Sequence, residues 1–152
     1  MSEEDNLKFS EAQVNLVIHA TEDGGKVLQA IQDVLLVPAE RFSNSPSEGH
    51  YKNRIVLLKA ILSSQEAAKL ARRIISLLNS TDMDQLSSLL HEYSDEKGNL
   101  YIRLDKQRIC QGRVSLSNTD AIKIRFRPLK RYNKPSKGFE RYKGLFESNF
   151  TI

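Results

Sequence analysis

This chain has one cysteine, no tryptophan, only three histidines and four prolines in 152 residues, and no apolar run of membrane-spanning length. The single thiol, Cys110, excludes an internal disulfide and a cysteine-based zinc site, and fits a reducing compartment. With no stretch near the roughly 18 apolar residues of a spanning helix, no membrane partner is expected. The first ten residues, MSEEDNLKFS, are acidic and polar, unlike the cationic and then apolar start of a secretory signal, so a cytoplasmic location is expected. His19, His50 and His91 fall on a strand, a loop and a helix without metal-ligand spacing. Gly24-Gly25-Lys26 lacks the remaining parts of a nucleotide loop. Nothing assembles an acid, a base and a nucleophile, so neither an enzyme nor a cofactor is expected.

What is present is charge, unevenly placed. The formal charge of +4 conceals a split. Residues 1–96 hold nine Lys/Arg against fifteen Asp/Glu, a net −6, and residues 97–152 hold fourteen against four, a net +10. A C-terminal third this basic on an otherwise acidic chain points to a polyanion such as RNA, DNA or anionic lipid.

The hydrophobic pattern alternates strands and helices. Ala12 to Ala20 reads as a strand after a frayed leader, with Val14, Leu16 and Ile18 on one face and Gln13, Asn15 and His19 on the other. Thr21 or Asp23 can cap a helix from about Gly25 to Leu36, which buries Val27, Ile31, Val34 and Leu35 and is stopped by Pro38. Residues 39–53, rich in Ser, Asn, Pro and Gly, read as a long surface loop. Arg54 to Leu62 is a strand, apolar on both faces apart from Lys59, which suits a central strand or one covered by a partner chain.

Ser63-Ser64-Gln65-Glu66 is a capping box opening a helix to about Leu78. Asn79 to Asp82 caps another, with Met83, Leu86, Leu90 and Tyr93 at helical spacing. Leu100 to Leu104 is the third strand, and Asp105 to Arg108 can form one helical turn. Arg113 to Leu116 and Ala121 to Arg127 are expected to pair as a hairpin through Ser117 to Asp120, with Pro128 ending the sheet. The predicted fold is α+β, a mostly antiparallel sheet with helices packed on one face in the order β-α-β-α-α-β-β-β. Residues 1–128 form the expected domain. Residues 129–152 form a tail in which five aromatics are interleaved with six Lys/Arg, either docking on the core or a partner subunit or folding on RNA.

Alternation also divides the last strands between a core face and a cationic one. Ile122, Ile124 and Phe126 face inward; Lys123, Arg125 and Arg127 face outward, and Arg103 and Arg113 are expected beside them with Tyr101 among them. Lys106 and Arg108 are placed at the rim, and Lys130 and Arg131 continue the basic run. Like charges directly opposed on a sheet cost roughly 0.2 to 1 kcal/mol per pair, a cost that a bound polyanion offsets. The alternative is a solvated face paired with the acids of the first two-thirds.

Three stretches together carry a resemblance: His19-Ala20-Thr21-Glu22-Asp23 with Lys26-Val27, Glu48-Gly49-His50-Tyr51 with Asn53, and Asn99-Leu100-Tyr101-Ile102-Arg103-Leu104-Asp105-Lys106-Gln107 before Ala121-Ile122-Lys123-Ile124. Over residues 12–127 the chain resembles an archaeal family of small RNA-binding proteins described as predicted exosome-associated subunits. The resemblance implies a fold similar to the ribosomal protein that binds 5S RNA, a role in RNA processing or turnover, and no catalytic residues. By position it carries over His50, Asn53, Asp105, Lys106 and Gln107; Asp105 can simply cap a turn, and Lys106 with Gln107 can touch phosphate. The expected function is therefore non-catalytic RNA binding, in company with an RNA-degrading or ribosome-related complex. The rival is a protein-interaction adaptor or homodimer built on the apolar second face of Ile55, Leu57 and Ile61.

Overall fold

The computed structural model describes residues 9–48 and 54–129. Among the described residues the strands and α-helices follow in the order β1 (Phe9–His19), α1 (Gly24–Leu35), β2 (Ser43–Glu48), β3 (Arg54–Leu62), α2 (Ser64–Leu77), α3 (Ser80–Ser88), β4 (Leu100–Asp105), α4 (Lys106–Cys110) and β5 (Ala121–Pro128), with short 3-10 turns at Ala39–Arg41 and Leu90–Glu92. The strands form one antiparallel sheet in the order β2-β3-β1-β5-β4. The α+β architecture expected from the sequence is the one observed.

The apolar alternation sets the layers. Ala12, Val14, Leu16 and Ile18 of β1 lie in one buried row-set with Leu58, Ala60 and Leu62 of β3 and Ile122, Ile124 and Phe126 of β5. Helix α2 covers this side through Ala67, Leu70, Ala71, Ile74 and Ile75, packing along β1 and β3. Val27, Ile31 and Leu35 of α1 and Met83 and Leu86 of α3 complete the core. Phe9 stacks tilted on Phe126 with ring centres 5.1 Å apart, beside a register shift between Phe9 and Glu11. The strand therefore begins earlier than the alternation from Ala12 suggests.

Local chemistry fixes the helix starts. The Asp23 carboxylate accepts the Lys26 amide at 3.2 Å, and Ser63 and Glu66 form the capping box in both directions. Asn79 accepts the Asp82 amide, opening α3. At its other end α1 stops on Leu36, an exposed residue in the left-handed region at φ 61°.

Two segments depart from expectation. Ser43–Glu48, read as loop, is the edge strand β2, since β3 leaves a row of backbone groups that the polar chain satisfies. Arg113–Leu116, read as a strand paired with β5, is not one. The chain turns at Gly112, whose φ is +78°, and passes along the outer border of β4. There it makes a single bridge, Leu104 to Leu116, with the Asp105 amide donating to the Ser115 carbonyl and the Ser117 amide to the Arg103 carbonyl.

Candidate nucleic-acid interface

With the helices on one side, the other side of the sheet is open, and strand register arranges it in rows. One row crosses all five strands. Ser43 pairs with Lys59, Lys59 with Asn15, Asn15 with Lys123, and Lys123 with Arg103. The neighbouring row runs Ile61, Gln13, Arg125, Tyr101. Beyond it Arg127 pairs with Glu11, the two side chains 3.2 Å apart.

Lys59, Arg103 and Lys123 have no acid within ion-pair distance among the described residues. Arg125 is held instead by a neutral partner, its Nη2 donating to Gln13 Oε1 at 3.1 Å. Tyr101 keeps an exposed ring while its hydroxyl donates to Asp95 Oδ2 at 2.8 Å. That bond pushes the phenol above its ordinary value, with partial burial adding to it. Partial burial acts to raise the Asp95 carboxyl, but hydrogen bonds from Asn99 and Tyr101 outweigh it and hold the group below the usual range. On the far side of the three-cation row a groove of about 720 Å³ opens over β1, β2 and β3, floored by Val17 and Leu57 and bordered by Lys59 and Lys123.

The sequence-predicted residues separate into four groups. Tyr101, Arg103, Lys123, Arg125 and Arg127 share the open face. Arg108 and Arg113 do not join it; both are exposed and line a smaller hollow of about 350 Å³ with Leu77 and Asn79, because the chain after Gly112 leaves the sheet. His50, Asn53, Lys130 and Arg131 lie outside the described residues. The fourth group is Lys106 with Gln107.

Lys106, expected at the rim, is fully buried. It is the first residue of α4, where the helical turn capped by Asp105 swings its side chain inward beneath β1. Its ammonium donates to the Val17 carbonyl and to Glu22 Oε1, each at 2.7 Å, and lies 2.8 Å from Asp120 Oδ2. Gln107, exposed, donates to Glu22 Oε2 at 3.2 Å. Burial acts to raise the Glu22 carboxyl; the Lys106 ammonium and the His19 amide outweigh it and hold the group below its ordinary range. The ligand atoms of His19, Glu22 and Asp120 lie within 4.8 Å of one another, a grouping that sequence spacing hides. The Lys106 ammonium already supplies a cation between the two acids. Cys110 is exposed, and the desolvation of its sulfur together with the Glu22 charge pushes its thiol up, away from a reactive thiolate.

Sequence inspection missed Lys59 and Asn15 as members of the face. The signal for Lys59 was available: it is the only charge after Arg54 within the strand RIVLLKAIL, and such an interruption marks the side turned to solvent. Asn15 needed the register, which only the folded chain supplies.

A family model described as RNA binding matches residues 11–127. A Pyrococcus abyssi protein named RNA-binding protein PAB1135 is 33% identical over 129 residues, covering 80% of this chain and 82% of that protein. The Methanocaldococcus jannaschii protein MJ0213, uncharacterized by name, is 30% identical over 116 residues, covering 72% of this chain and 77% of that one. Among solved structures, protein AF2318 from A. fulgidus matches with a TM-score of 0.76 at 32% identity over 91% of this chain and 99% of its own. Mth689 from Methanothermobacter thermautotrophicus shares the fold, with a TM-score of 0.74 at 24% identity over 91% of this chain and 98% of that one.

Proposed function

This chain belongs to that RNA-binding family, and from this premise we propose that it is a non-catalytic protein of RNA processing or turnover whose open sheet face meets the RNA backbone. The single observation that carries this is the row containing Lys59 of β3, Lys123 of β5 and Arg103 of β4, with the neutral Asn15 of β1 between the first two and no acid within ion-pair distance of the three among the described residues. The directly opposed Lys123 and Arg103 repel one another in the free protein, and a polyanion relieves that repulsion. Tyr101, Arg125 and Arg127 extend the contact, and we place His50, Asn53, Lys130 and Arg131 with it as further contacts. The basic, aromatic tail of residues 129–152 is a separate arm in this proposal. Its company is an RNA-degrading or ribosome-related complex.

Salt titration tests the assignment. Phosphate contacts release counterions, so log K falls linearly with log salt, and Lys123→Ala or Arg125→Ala should each flatten that slope by about one. Slopes unchanged in both variants would remove the face from RNA binding. A second function, as a protein-interaction adaptor, is favoured by Leu57 and Ile61, which are 40% and 53% exposed on the same side of the sheet. Sedimentation with and without RNA separates the two, since an adaptor or homodimer assembles without RNA.

A further inference from the structure

We propose that the open face holds an unpaired RNA strand laid across the sheet, with its phosphates on the three-cation row and its bases splayed to either side of that row. This rests on the RNA-binding function proposed above and adds the form of the RNA. Neighbouring strands lie about 4.8 Å apart, so Lys59 and Arg103, three strand intervals apart, mark a cationic track roughly 14 Å long. The track runs perpendicular to the strands, and what flanks it is suited to bases rather than phosphates.

On one flank lies the groove, with Leu57 and Val17 as apolar floor and Asn15 and Ser45 as hydrogen-bonding groups at its wall. Its volume of about 720 Å³ is ample for one nucleotide. On the other flank stands a flat group fixed at its polar end, the exposed Tyr101 ring, tethered through its hydroxyl to Asp95, with Arg125, held by Gln13, beside it in register to meet the adjoining phosphate. Aromatic rings are the usual platforms for unstacked bases. A duplex turns its bases inward and presents sugar and phosphate, so it would cover Leu57 and Tyr101 with groups that neither matches. Lys59 and Lys123 stand together on the border the groove shares with the row, and Asp120, which also lines it, is neutralised by the buried Lys106 ammonium 2.8 Å away, so that border attracts a polyanion.

The test uses the full chain and two fluorescent probes, a short single-stranded RNA of mixed sequence and a blunt duplex of the same sequence, titrated at one salt concentration. The single strand should bind at least about tenfold more tightly than the duplex. Tyr101→Leu should weaken single-strand binding by about tenfold, while Tyr101→Phe, which keeps the ring, should hold it near the parent. Leu57→Ser should weaken the single strand without altering the salt slope, because it removes a base contact and no charge. Both sites are exposed, and circular dichroism verifies that the variants fold. Equal affinity for duplex and single strand, with Leu57→Ser and Tyr101→Leu silent, would overturn the unpaired-strand assignment and leave RNA binding standing. Binding of neither probe would overturn both. A homodimer abolished by Leu57→Ser, with RNA affinity unaffected, would also overturn it by giving the groove to a second copy.

Discussion

Replacing Lys106 with methionine separates the buried cation from the surface ones. Methionine keeps most of the side chain's length, so packing in α4 is nearly conserved and the change isolates the ammonium. Three contacts are lost. The charge-assisted bond to Glu22, whose side chain is 15% exposed, contributes about 1.5 to 3 kcal/mol. The contact with Asp120, 40% exposed and open to water, contributes under about 1 kcal/mol. The bond to the Val17 carbonyl adds about 1 kcal/mol. Lys106→Met should therefore lose roughly 3 to 4 kcal/mol, near 10 °C in melting temperature for a chain of this size. Urea denaturation at neutral pH reads the loss directly, and the gap from the parent should narrow in acid, where Glu22 protonates and the parent loses the same bond. The salt slope of RNA binding should not move. An unchanged urea midpoint, or a slope flattened by one with stability intact, would refute the placement of this lysine in the interior.

Acid should also weaken the parent through Glu22, Glu66 and Asp95, all held below their ordinary values in the folded chain. The unfolded state then binds more protons, so their contribution is complete above the unfolded carboxylate range and disappears as pH falls through the folded values. A melting-temperature profile rising with acidification through that range would contradict the sign. Leu36→Gly should stabilise the chain by up to about 1 kcal/mol, since the residue sits at φ 61° and is 63% exposed, so a glycine relieves the left-handed strain and forfeits little burial. A lower urea midpoint in that variant would count against it.

Much of this architecture was legible because local and global signals agree. Arg54–Leu62 reads as a strand by composition, and the Ser63 to Glu66 box marks a helix start that needs no tertiary help. The alternation of Ile122, Lys123, Ile124, Arg125 and Phe126 gave both the core side and the cationic side of β5. Legibility ended where long-range pairing decides. Ser43–Glu48 has loop composition and is a strand because β3 offers it a ladder. Arg113 to Leu116 has strand composition, yet β5 spends one edge on β1 and the other on β4, so no place beside it remains. Lys106 carries the same charge as its exposed neighbours, and only the phase of a single helical turn sends it inward. Lys59 and Arg103 lie far apart in sequence, and the register of three strand pairs is what joins them in one row.

The borders of the sheet bear on how this protein avoids sticking to itself. An open row of backbone amides and carbonyls is a template for adding a foreign strand, and sheets exposing one are prone to aggregate edge to edge. Here one border, β4, is overlaid by the Ser115 to Ser117 segment through two backbone hydrogen bonds. The other, β2, reads SNSPSE, short and polar, with Pro46 contributing no amide to any incoming ladder. Sheet extension into fibres is thus obstructed at both ends by sequence choices that resemble loop, and contacts made by the folded sheet are directed to its broad surface instead of its rims.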